Sequence, residues 1–378
     1  MHNFWKKLTA IRRTQGKPFF ILAPMADVTD MAFRQIIVEC GKPDVLYTEF
    51  VSADGLCSEK GRPKLMPHLA FKENERPIVA QIFGSNPQHF YEAAKLIARL
   101  CPVVDFPTAT KSPKKFRKIH YGVCPVVNFS DAQSAMPEAT EKSTTGFDGI
   151  DINMGCPAGK IVKHDSGAGL ILNPELAKKI IHETKRGAGG LPVSVKTRIG
   201  YNKIITEEWM SHLIEAEPAA IILHGRTMKE MSKVPAHWDE IGKAAVLCRK
   251  AGIPIIGNGD VASYADGVKK AKQYGLDGIM VGRGVFSNPW FFSAGGGSAF
   301  GGNPVAKTPT EKIELLKKHV ELFTELWVNP PAGGKHFDVM KKFFKIYISG
   351  WEGAKELRIK LMNTKNIPEV LTILTDSK

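Results

Sequence analysis

The sequence predicts a (β/α)8 TIM barrel, an α/β fold, followed by a C-terminal all-helical domain. Short apolar runs rich in β-branched residues alternate with longer amphipathic stretches, which is typical of a parallel sheet with helices outside it. Eight such runs occur, as a closed eight-stranded barrel requires. Residues 308–378 then carry only helical patterns. An open, doubly wound sheet is the alternative that the same alternation allows.

Each predicted strand is bounded by loop signals. The predicted strands span residues 19–23, 45–48, 78–83, 149–153, 193–197, 220–224, 253–257 and 278–281. The clearest amphipathic stretches, residues 87–100, 174–186 and 262–274, predict helices outside the barrel. The barrel domain is therefore predicted over residues 18–293, after a basic N-terminal extension over residues 1–17.

Two segments interrupt the alternation. Residues 101–145 contain five prolines between a helix and the fourth strand, where a connection usually takes about 2–6 residues. We predict an insertion there, with a weak strand near residues 123–129. A Gly/Ser-rich linker over residues 294–307 follows the barrel. Beyond it, Thr310 is expected to cap a helix over residues 311–327, and helices over residues 337–348 and 354–363 are expected to follow.

The composition excludes several classes of protein. Hydrophobic residues make up 43% and charged residues 24% of the 378 residues, close to globular averages, which excludes wholesale disorder. Neither a long apolar run nor a secretory signal pattern occurs, so no membrane association is expected. Six cysteines without a CxxC pair argue against a metal site and against a disulfide framework. A reducing cytoplasm is the expected location.

The net charge is strongly positive. The chain has 52 Lys and Arg against 38 Asp and Glu, a balance of +14, which favours a polyanionic partner, with nucleic acid ahead of a membrane. Basic residues on the predicted βα loops include Lys160, Lys163, Arg198, Lys203, Arg226, Lys229, Lys233 and Arg283. The densest basic run, residues 111–118, lies in the insertion, which the alternation assigns to the opposite face of the barrel. That run is more typical of a solvated loop than of a substrate contact.

Polar residues and glycines follow nearly every predicted strand. In a barrel of this kind the active site lies at the carboxyl ends of the strands. The residues at these ends include Pro24, Met25, Glu49, Gln81, Asn153, Lys196, Arg198, His224, Arg226, Asn258, Gly259, Asp260, Gly282 and Arg283. Each has an ordinary structural explanation when taken alone, such as a core histidine or a helix cap. Together they indicate one site at the barrel mouth.

Two features of this rim suggest chemistry. Cys156 follows a glycine and precedes a proline at a strand end, so we expect its thiol at the mouth. Near Lys160 and Lys196 it could transfer a proton, and a nucleophile is the competing role. The glycines and Arg283 after the seventh and eighth strands suit a phosphate group, although ordinary βα turns use the same residues.

The motifs at these strand ends carry a resemblance to a known family. They read APMADVTD from Ala23, DINMGCP from Asp151, VKTRIG from Val195, HGRT from His224, GNGDV from Gly257 and MVGRG from Met280. In this order, over residues 18–293, they resemble the tRNA-dihydrouridine synthases, which are FMN enzymes that reduce uridines in tRNA. The stretch from Gly350 through Arg358 is similar to the family's helical tRNA-binding domain.

The resemblance implies a role for each matching residue. Cys156 would be the general acid. The residues implied to bind FMN are Pro24, Met25, Gln81, Lys196, His224, Asn258, Gly259, Asp260, Gly282 and Arg283. Those implied to contact tRNA are Asn153, Lys160, Arg198, Arg226, Lys342 and Arg358. NADPH would reduce FMN, a hydride would pass to C6 of the uracil, and C5 would receive the proton. A monomer is expected.

Two other functions fit part of the pattern. A related FMN barrel oxidoreductase could act on a small substrate, but the helical domain and the basic rim disfavour it. A non-catalytic RNA-binding barrel is disfavoured because Cys156, Lys196 and His224 occur together. The insertion over residues 101–145 departs from the usual pattern of the family.

Overall fold

The computed structural model describes residues 3–101, 122–123, 146–293, 307–328 and 334–377. Its strands, in chain order, are β1 (Phe19–Leu22), β2 (Leu46–Tyr47), β3 (Val51–Ser52), β4 (Ile78–Phe83), β5 (Leu100–Cys101), β6 (Gly122–Val123), β7 (Gly149–Met154), β8 (Val193–Arg198), β9 (Ile221–His224), β10 (Ile255–Asn258) and β11 (Gly278–Val281). The eight predicted strands are all present, with ends displaced by no more than two residues.

Parallel pairing closes these strands into a barrel. The order around the sheet is β1–β11–β10–β9–β8–β7–β4–β2, and β3 pairs with β4 beside this path. Ile21 forms a parallel bridge to Val45, and the N–H of Leu22 donates to the Val45 carbonyl at 3.2 Å. Because this contact joins β1 to the segment that leads into β2, the predicted closed barrel is confirmed and the open sheet is excluded.

Helices surround the barrel and continue beyond it. They are α1 (Phe4–Gln15), α2 (Met31–Gly41), α3 (Ala53–Cys57), α4 (Arg62–Leu65), α5 (Pro87–Ile97), α6 (Gly159–Val162), α7 (Pro174–Gly187), α8 (Thr206–Glu215), α9 (Trp238–Ala251), α10 (Tyr264–Tyr274), α11 (Gly284–Ser287), α12 (Pro309–Phe323), α13 (Asp338–Tyr347), α14 (Ala354–Met362) and α15 (Ile367–Asp376). In α7, Asn173 caps the first turn, and Ala177, Ile180, Ile181 and Thr184 form the buried stripe that faces the sheet.

The basic N-terminal extension folds as a helix that closes the lower end of the barrel. Asn3 caps α1 by accepting the N–H of Trp5 at 3.1 Å. The Trp5 side chain is fully buried and packs with Phe19 and the apolar side chains inside the barrel. Lys6 and Lys7 are exposed on the outer side of the helix. The basic residues of this segment are therefore the outer face of a barrel cap.

The predicted insertion begins with a short antiparallel pair. β5 and β6 pair through Leu100 and Val123, so Gly122–Val123 lies at the start of the strand expected near residues 123–129. Residues 102–121 and 124–145 lie outside the described residues, and so does the basic run 111–118. Residues 294–306, nearly all of the predicted linker, also lie outside them.

The first helix of the C-terminal segment begins two residues before its predicted position. Thr308, and not Thr310, is the cap of α12. Its hydroxyl accepts the N–H of Glu311 at 3.2 Å, and the Glu311 carboxylate accepts the N–H of Thr308 at 2.8 Å. Pro309 occupies the first helical position, where its missing N–H costs nothing. A reciprocal capping box therefore fixes this start.

The C-terminal helices pack directly on the barrel. The rings of Phe33 in α2 and Phe343 in α13 lie 5.3 Å apart. The Lys335 amine contacts carboxylate oxygens of Asp30 at 3.1 Å and Glu49 at 2.8 Å, all of them side chains of the buried interface. This packing brings α13 to the rim, where the Lys342 amine donates to the Asp27 carbonyl at 2.9 Å.

Candidate active site

A cavity of about 480 Å³ opens at the carboxyl ends of β1, β8, β9, β10 and β11. It is lined by Pro24, Met25, Lys196, His224, Asn258, Gly259, Asp260, Gly282 and Arg283, among others. All residues that the sequence assigned to cofactor binding therefore meet here, with the exception of Gln81. They converge because parallel strands present their carboxyl ends on one face of the barrel.

Positive charge dominates this cavity. The Lys196 amine lies 3.3 Å from the Asn258 side-chain oxygen, a neutral acceptor. Burial, reinforced by the charge of Arg198, lowers the pKa of Lys196 to about 8. Burial and four surrounding cations hold the pKa of His224 well below its ordinary value, so this imidazole is neutral at pH 7. The cavity is therefore suited to an anionic ligand.

Asp260 organises the side of the cavity after β10. Its carboxylate accepts from Arg226, from the N–H of Ala236 at 2.9 Å and from Arg283 at 3.3 Å. Gly259 has a φ of +125°, and a Cβ there would lie 2.8 Å from the Cβ of Ala236, so this turn requires glycine. The Arg283 side chain is 60% exposed, which leaves its guanidinium accessible from the cavity.

Three of the six residues expected to contact tRNA are buried: Asn153, which is 5% exposed, and two arginines. Arg198 is 8% exposed and donates to the carbonyls of Gly155, Thr227 and Met231 at 2.7, 3.0 and 3.2 Å. Arg226 is 2% exposed, and it donates to the Val234 carbonyl at 2.5 Å and to Asp260.

Through these contacts both guanidinium groups hold loops in place. Arg198 also lines the cavity, and the contact of either arginine with tRNA stays a prediction. The loops that bury Arg198 and Arg226 follow β7 and β9, and sequence spacing did not show that they fold over these side chains.

The other predicted tRNA contacts occupy different environments. Lys160 is exposed on α6, at the rim. Lys342 is exposed beside the loop that follows β1. Arg358 is half-buried and donates to the Ile348 carbonyl at 2.6 Å, which ties α14 to the end of α13. Lys160 and Lys342 therefore face solvent at the mouth, whereas Arg358 holds two helices together.

The loop after β7 presents Cys156 at the mouth. Asn153 accepts the N–H groups of Gly155 at 3.1 Å and Cys156 at 2.9 Å through its side-chain oxygen. A Cβ on Gly167 would lie 2.9 Å from the Cys156 carbonyl, so the following turn can approach only because residue 167 is glycine. Burial raises the pKa of the Cys156 thiol, which is therefore protonated at neutral pH and able to donate a proton.

Gln81 of β4 is fully buried and lies two strands away from β8, the nearest strand on that side that lines the cavity. Its amide nitrogen donates to Asp151 at 2.7 Å, and its oxygen accepts from Asn153 at 3.1 Å. Asp151 and Ser194 were missed by sequence reasoning, although both are fully buried in this region. The period-2 alternation of β7 was the available signal, because it places Asp151 on the same inward face as Asn153.

Among the described residues, no group of three or more His, Cys, Asp or Glu side chains could hold a metal ion. No helix in the same part of the chain is long and apolar enough to cross a membrane. Cys40 and Cys248 are buried, as expected for small apolar side chains.

The fold and this cavity define a (β/α)8-barrel enzyme whose chemistry lies at the carboxyl ends of its strands. The family model described as "Dihydrouridine synthase (Dus)" matches residues 21–106 and 128–376. The chain therefore belongs to the dihydrouridine synthase family and is an oxidoreductase. Between the two matched ranges, residues 107–127 are unmatched and lie inside the predicted insertion.

Curated relatives match almost the whole chain. A "Probable tRNA-dihydrouridine synthase" of Staphylococcus aureus (strain COL) is 37% identical over 378 residues, which cover 99% of this chain and 95% of that protein. The "Probable tRNA-dihydrouridine synthase 2" of Bacillus subtilis (strain 168) is also 37% identical, over 99% of this chain and 96% of that protein.

Solved structures resemble the chain more distantly. A histamine dehydrogenase from Rhizobium sp. 4-9 superposes with a TM-score of 0.46 at 14% identity, over 80% of this chain and 48% of that one. The protein TcOYE, solved with pHBA, superposes with a TM-score of 0.40 at 11% identity, over 72% of this chain and 87% of that one.

Proposed function

We propose that this protein reduces specific uridines in tRNA to 5,6-dihydrouridine, with FMN as cofactor, NADPH as reductant and Cys156 as the proton donor. The observation that carries the proposal is Cys156 at the rim of a cation-lined barrel mouth: Asn153 holds its backbone N–H, and burial keeps its thiol protonated. The family of the chain and the names of its relatives support the substrate.

The cavity residues fit FMN. The phosphate would be held where Gly259, Gly282 and Arg283 meet, because the two glycines leave the backbone open to the cavity and the exposed Arg283 guanidinium supplies positive charge. The Lys196 amine donates to a neutral amide oxygen, so its hydrogen bond to the protein leaves it able to pair with an anionic ligand. When bound, FMN supplies a hydride to C6 of the uracil and regains its reduced form from NADPH.

Cys156 completes the reduction of the C5–C6 double bond. The S–H bond breaks, the proton passes to C5, and the resulting thiolate is protonated again from solvent. A thiol whose pKa is raised by burial is the required form at neutral pH, because a thiolate has no proton to give. Arg198 lies near enough to this sulfur to ease the transient negative charge.

The exposed rim supplies contacts for a folded RNA. Lysines with exposed side chains on the loops after β7, β8 and β9 are Lys160, Lys163, Lys203, Lys229 and Lys233. They would bind phosphates, while the target uridine must leave its stack to enter the mouth. These lysines are more exposed than Arg198 and Arg226.

The test is reduction of an in vitro transcribed tRNA by the FMN-loaded full-length protein with NADPH, followed by nucleoside mass spectrometry. We expect dihydrouridine from the wild type, bound FMN but almost no product from Cys156→Ala, and normal turnover from Cys57→Ala. Near-normal turnover by Cys156→Ala would remove Cys156 from the acid role. Reduction of small enones but not of tRNA would favour a small-substrate oxidoreductase instead.

A further inference from the structure

Four buried polar side chains form a chain inside the barrel, next to the cavity. Gln81 of β4, Asp151 of β7 and Ser194 of β8 lie in register on neighbouring strands. All three are fully buried, and Asn153, two residues beyond Asp151, is 5% exposed. Apolar side chains such as Met280 fill the interior on the other wall. Apolar side chains could fill the space that these four polar side chains occupy. Their presence inside the barrel therefore needs an explanation.

The hydrogen bonds run in one direction. Ser194 donates to one Asp151 oxygen at 2.6 Å, and the Gln81 amide donates to the other at 2.7 Å. Asn153 donates to the Gln81 oxygen at 3.1 Å. The Asn153 oxygen then accepts the N–H of Cys156 at 2.9 Å.

The two ends of this chain determine the orientation of both amides between them. A backbone N–H can only donate, so the oxygen of Asn153 must face the Cys156 loop and its nitrogen must face Gln81. Gln81 must then present its oxygen to Asn153 and its nitrogen to Asp151. This arrangement is satisfied only if the group at position 151 accepts a hydrogen bond.

The carboxyl group of Asp151 is costly to bury. Burial raises the pKa of Asp151 to about 6, even though hydrogen bonds from Ser194 and Gln81 lower it. A buried polar network is stabilising only when each member has a partner, and here each one does. The network therefore selects one arrangement of the loop over others, at a cost in stability.

We propose that Asp151 is a positioning residue, the terminal acceptor of a relay that runs through Gln81 and Asn153 and holds the Cys156 loop in its reactive position. Its catalytic consequence rests on the proposed function, whereas its effect on the Cys156 loop does not. Without an acceptor at position 151, Gln81 can turn its amide over, Asn153 must follow, and the N–H of Cys156 loses its partner.

Isosteric variants separate this role from packing and from charge. In Asp151→Asn the side-chain oxygen can still accept from Gln81 while the new amide donates to the Ser194 hydroxyl, which can turn to accept. In Ser194→Ala the bond between Asp151 and Gln81 is untouched. The buried Tyr47 hydroxyl also lies beside Ser194, so these variants are compared on a Tyr47→Phe background. In the double variant the amide introduced at position 151 then has no hydroxyl to face, so it competes for Gln81 in the wrong direction. Asp151→Leu removes the acceptor altogether.

We expect both single isosteric variants to keep kcat within about threefold of wild type in the tRNA assay. The double variant and Asp151→Leu should lose about ten- to a hundredfold in kcat, since supporting residues have effects of this size. All variants should retain FMN. In parallel, the rate at which iodoacetamide alkylates Cys156, followed by peptide mass spectrometry, should change in the two disrupted variants, with Cys57 in the same sample as the internal control.

Other outcomes would overturn the relay. If the fold-loss in kcat of the double variant equals the product of the fold-losses of the two single variants, the effects are independent and the relay is contradicted. If Asp151→Asn alone lowers kcat as much as Asp151→Leu does, the negative charge of Asp151 is what matters, and the orientation of the Gln81 and Asn153 amides is not. If Asp151→Leu is insoluble, the double variant decides, because it keeps the volume of the wild type. A wild type that makes no dihydrouridine contradicts the proposed function, and the alkylation rates then still decide the relay.

Discussion

Lys196 and Lys335 are two poorly exposed lysines with opposite electrostatic surroundings. Lys196 contacts a neutral amide oxygen at the barrel mouth, and burial lowers its pKa to about 8. Burial alone would also lower the pKa of Lys335, but Asp30 and Glu49 reverse the effect and raise it. Lys335 also lies over the ring of Trp327, with its amine 4.6 Å from the ring centre.

The difference separates a binding group from a structural one. The protein satisfies the charge of Lys335 with two carboxylates and uses it to join the C-terminal helices to the barrel. It leaves the charge of Lys196 without an anionic hydrogen-bond partner, which disfavours the charged form until an anion enters the cavity. A sequence-level count of basic residues treats these two lysines as equivalent.

The largest expected effect is that of Lys335→Met. Two buried carboxylates would lose their cation, so the free energy of unfolding should fall by about 3–5 kcal/mol in urea denaturation. Lys335→Arg keeps the charge and should recover most of this loss. A change below about 1 kcal/mol in Lys335→Met would show that the interface does not depend on the pair.

Lys196→Met should affect ligand binding and not stability. We expect the FMN dissociation constant, measured by fluorescence titration, to rise about ten- to a hundredfold, the range for a hydrogen bond to a charged group. The free energy of unfolding of the FMN-free protein should change by less than about 1 kcal/mol, because Asp151, the buried carboxylate that interacts with Lys196, keeps its hydrogen bonds from Ser194 and Gln81. A loss of stability comparable to that of Lys335→Met would contradict the distinction between Lys196 as a binding group and Lys335 as a structural one.

The pH dependence of FMN binding should follow Lys196. Its pKa of about 8 in the free protein means that the protonated form, which attracts the anion, is lost as the pH rises through 8. Affinity should therefore fall about tenfold from pH 7 to pH 9. Lys196→Arg, which remains charged, should show a flat profile. If the FMN affinity of the wild type does not change up to pH 9, Lys196 is not the group that controls the pH dependence.

Lys342 provides the smallest test, because its amine is exposed and donates to a single carbonyl. Lys342→Ala should lower the free energy of unfolding by about 0.5 kcal/mol. If Lys342 contacts the phosphate backbone, KM for tRNA should rise several-fold and the salt dependence should decrease by about one unit of slope. Lys355→Ala, on the exposed side of α14, serves as a control at a more remote lysine.

The barrel was predictable because most of its strands are buried on both faces and are short apolar runs, while β7 and the start of β8 keep an apolar residue at every second position. β4 and β11 match their predicted bounds. The two-residue strand β3 was not predicted, since it is too short to produce a pattern. The Thr308 cap was missed although Thr308 and Glu311 have capping-box spacing, because Thr310 directly precedes the first acidic residue.

The sequence predicted which residues lie at the carboxyl ends of the strands, but not which of them are buried or what they contact. Spacing brings Lys196, His224 and Asn258 to one cavity, and the structure has them there. Spacing does not show that Arg198 and Arg226 are enclosed, because enclosure depends on how two long loops fold back. Nor does spacing point to Asp151, because its hydrogen-bond partners come from two other strands, β4 and β8.

Helix α1 has a consequence for anyone who shortens this protein. By charge alone, the first residues resemble a dispensable basic arm that could be trimmed without harm. Trp5 instead seals the lower end of the barrel with a fully buried ring. Removal of this helix would expose the apolar side chains at the lower end of the barrel to water, and exposed apolar surface of this kind promotes aggregation.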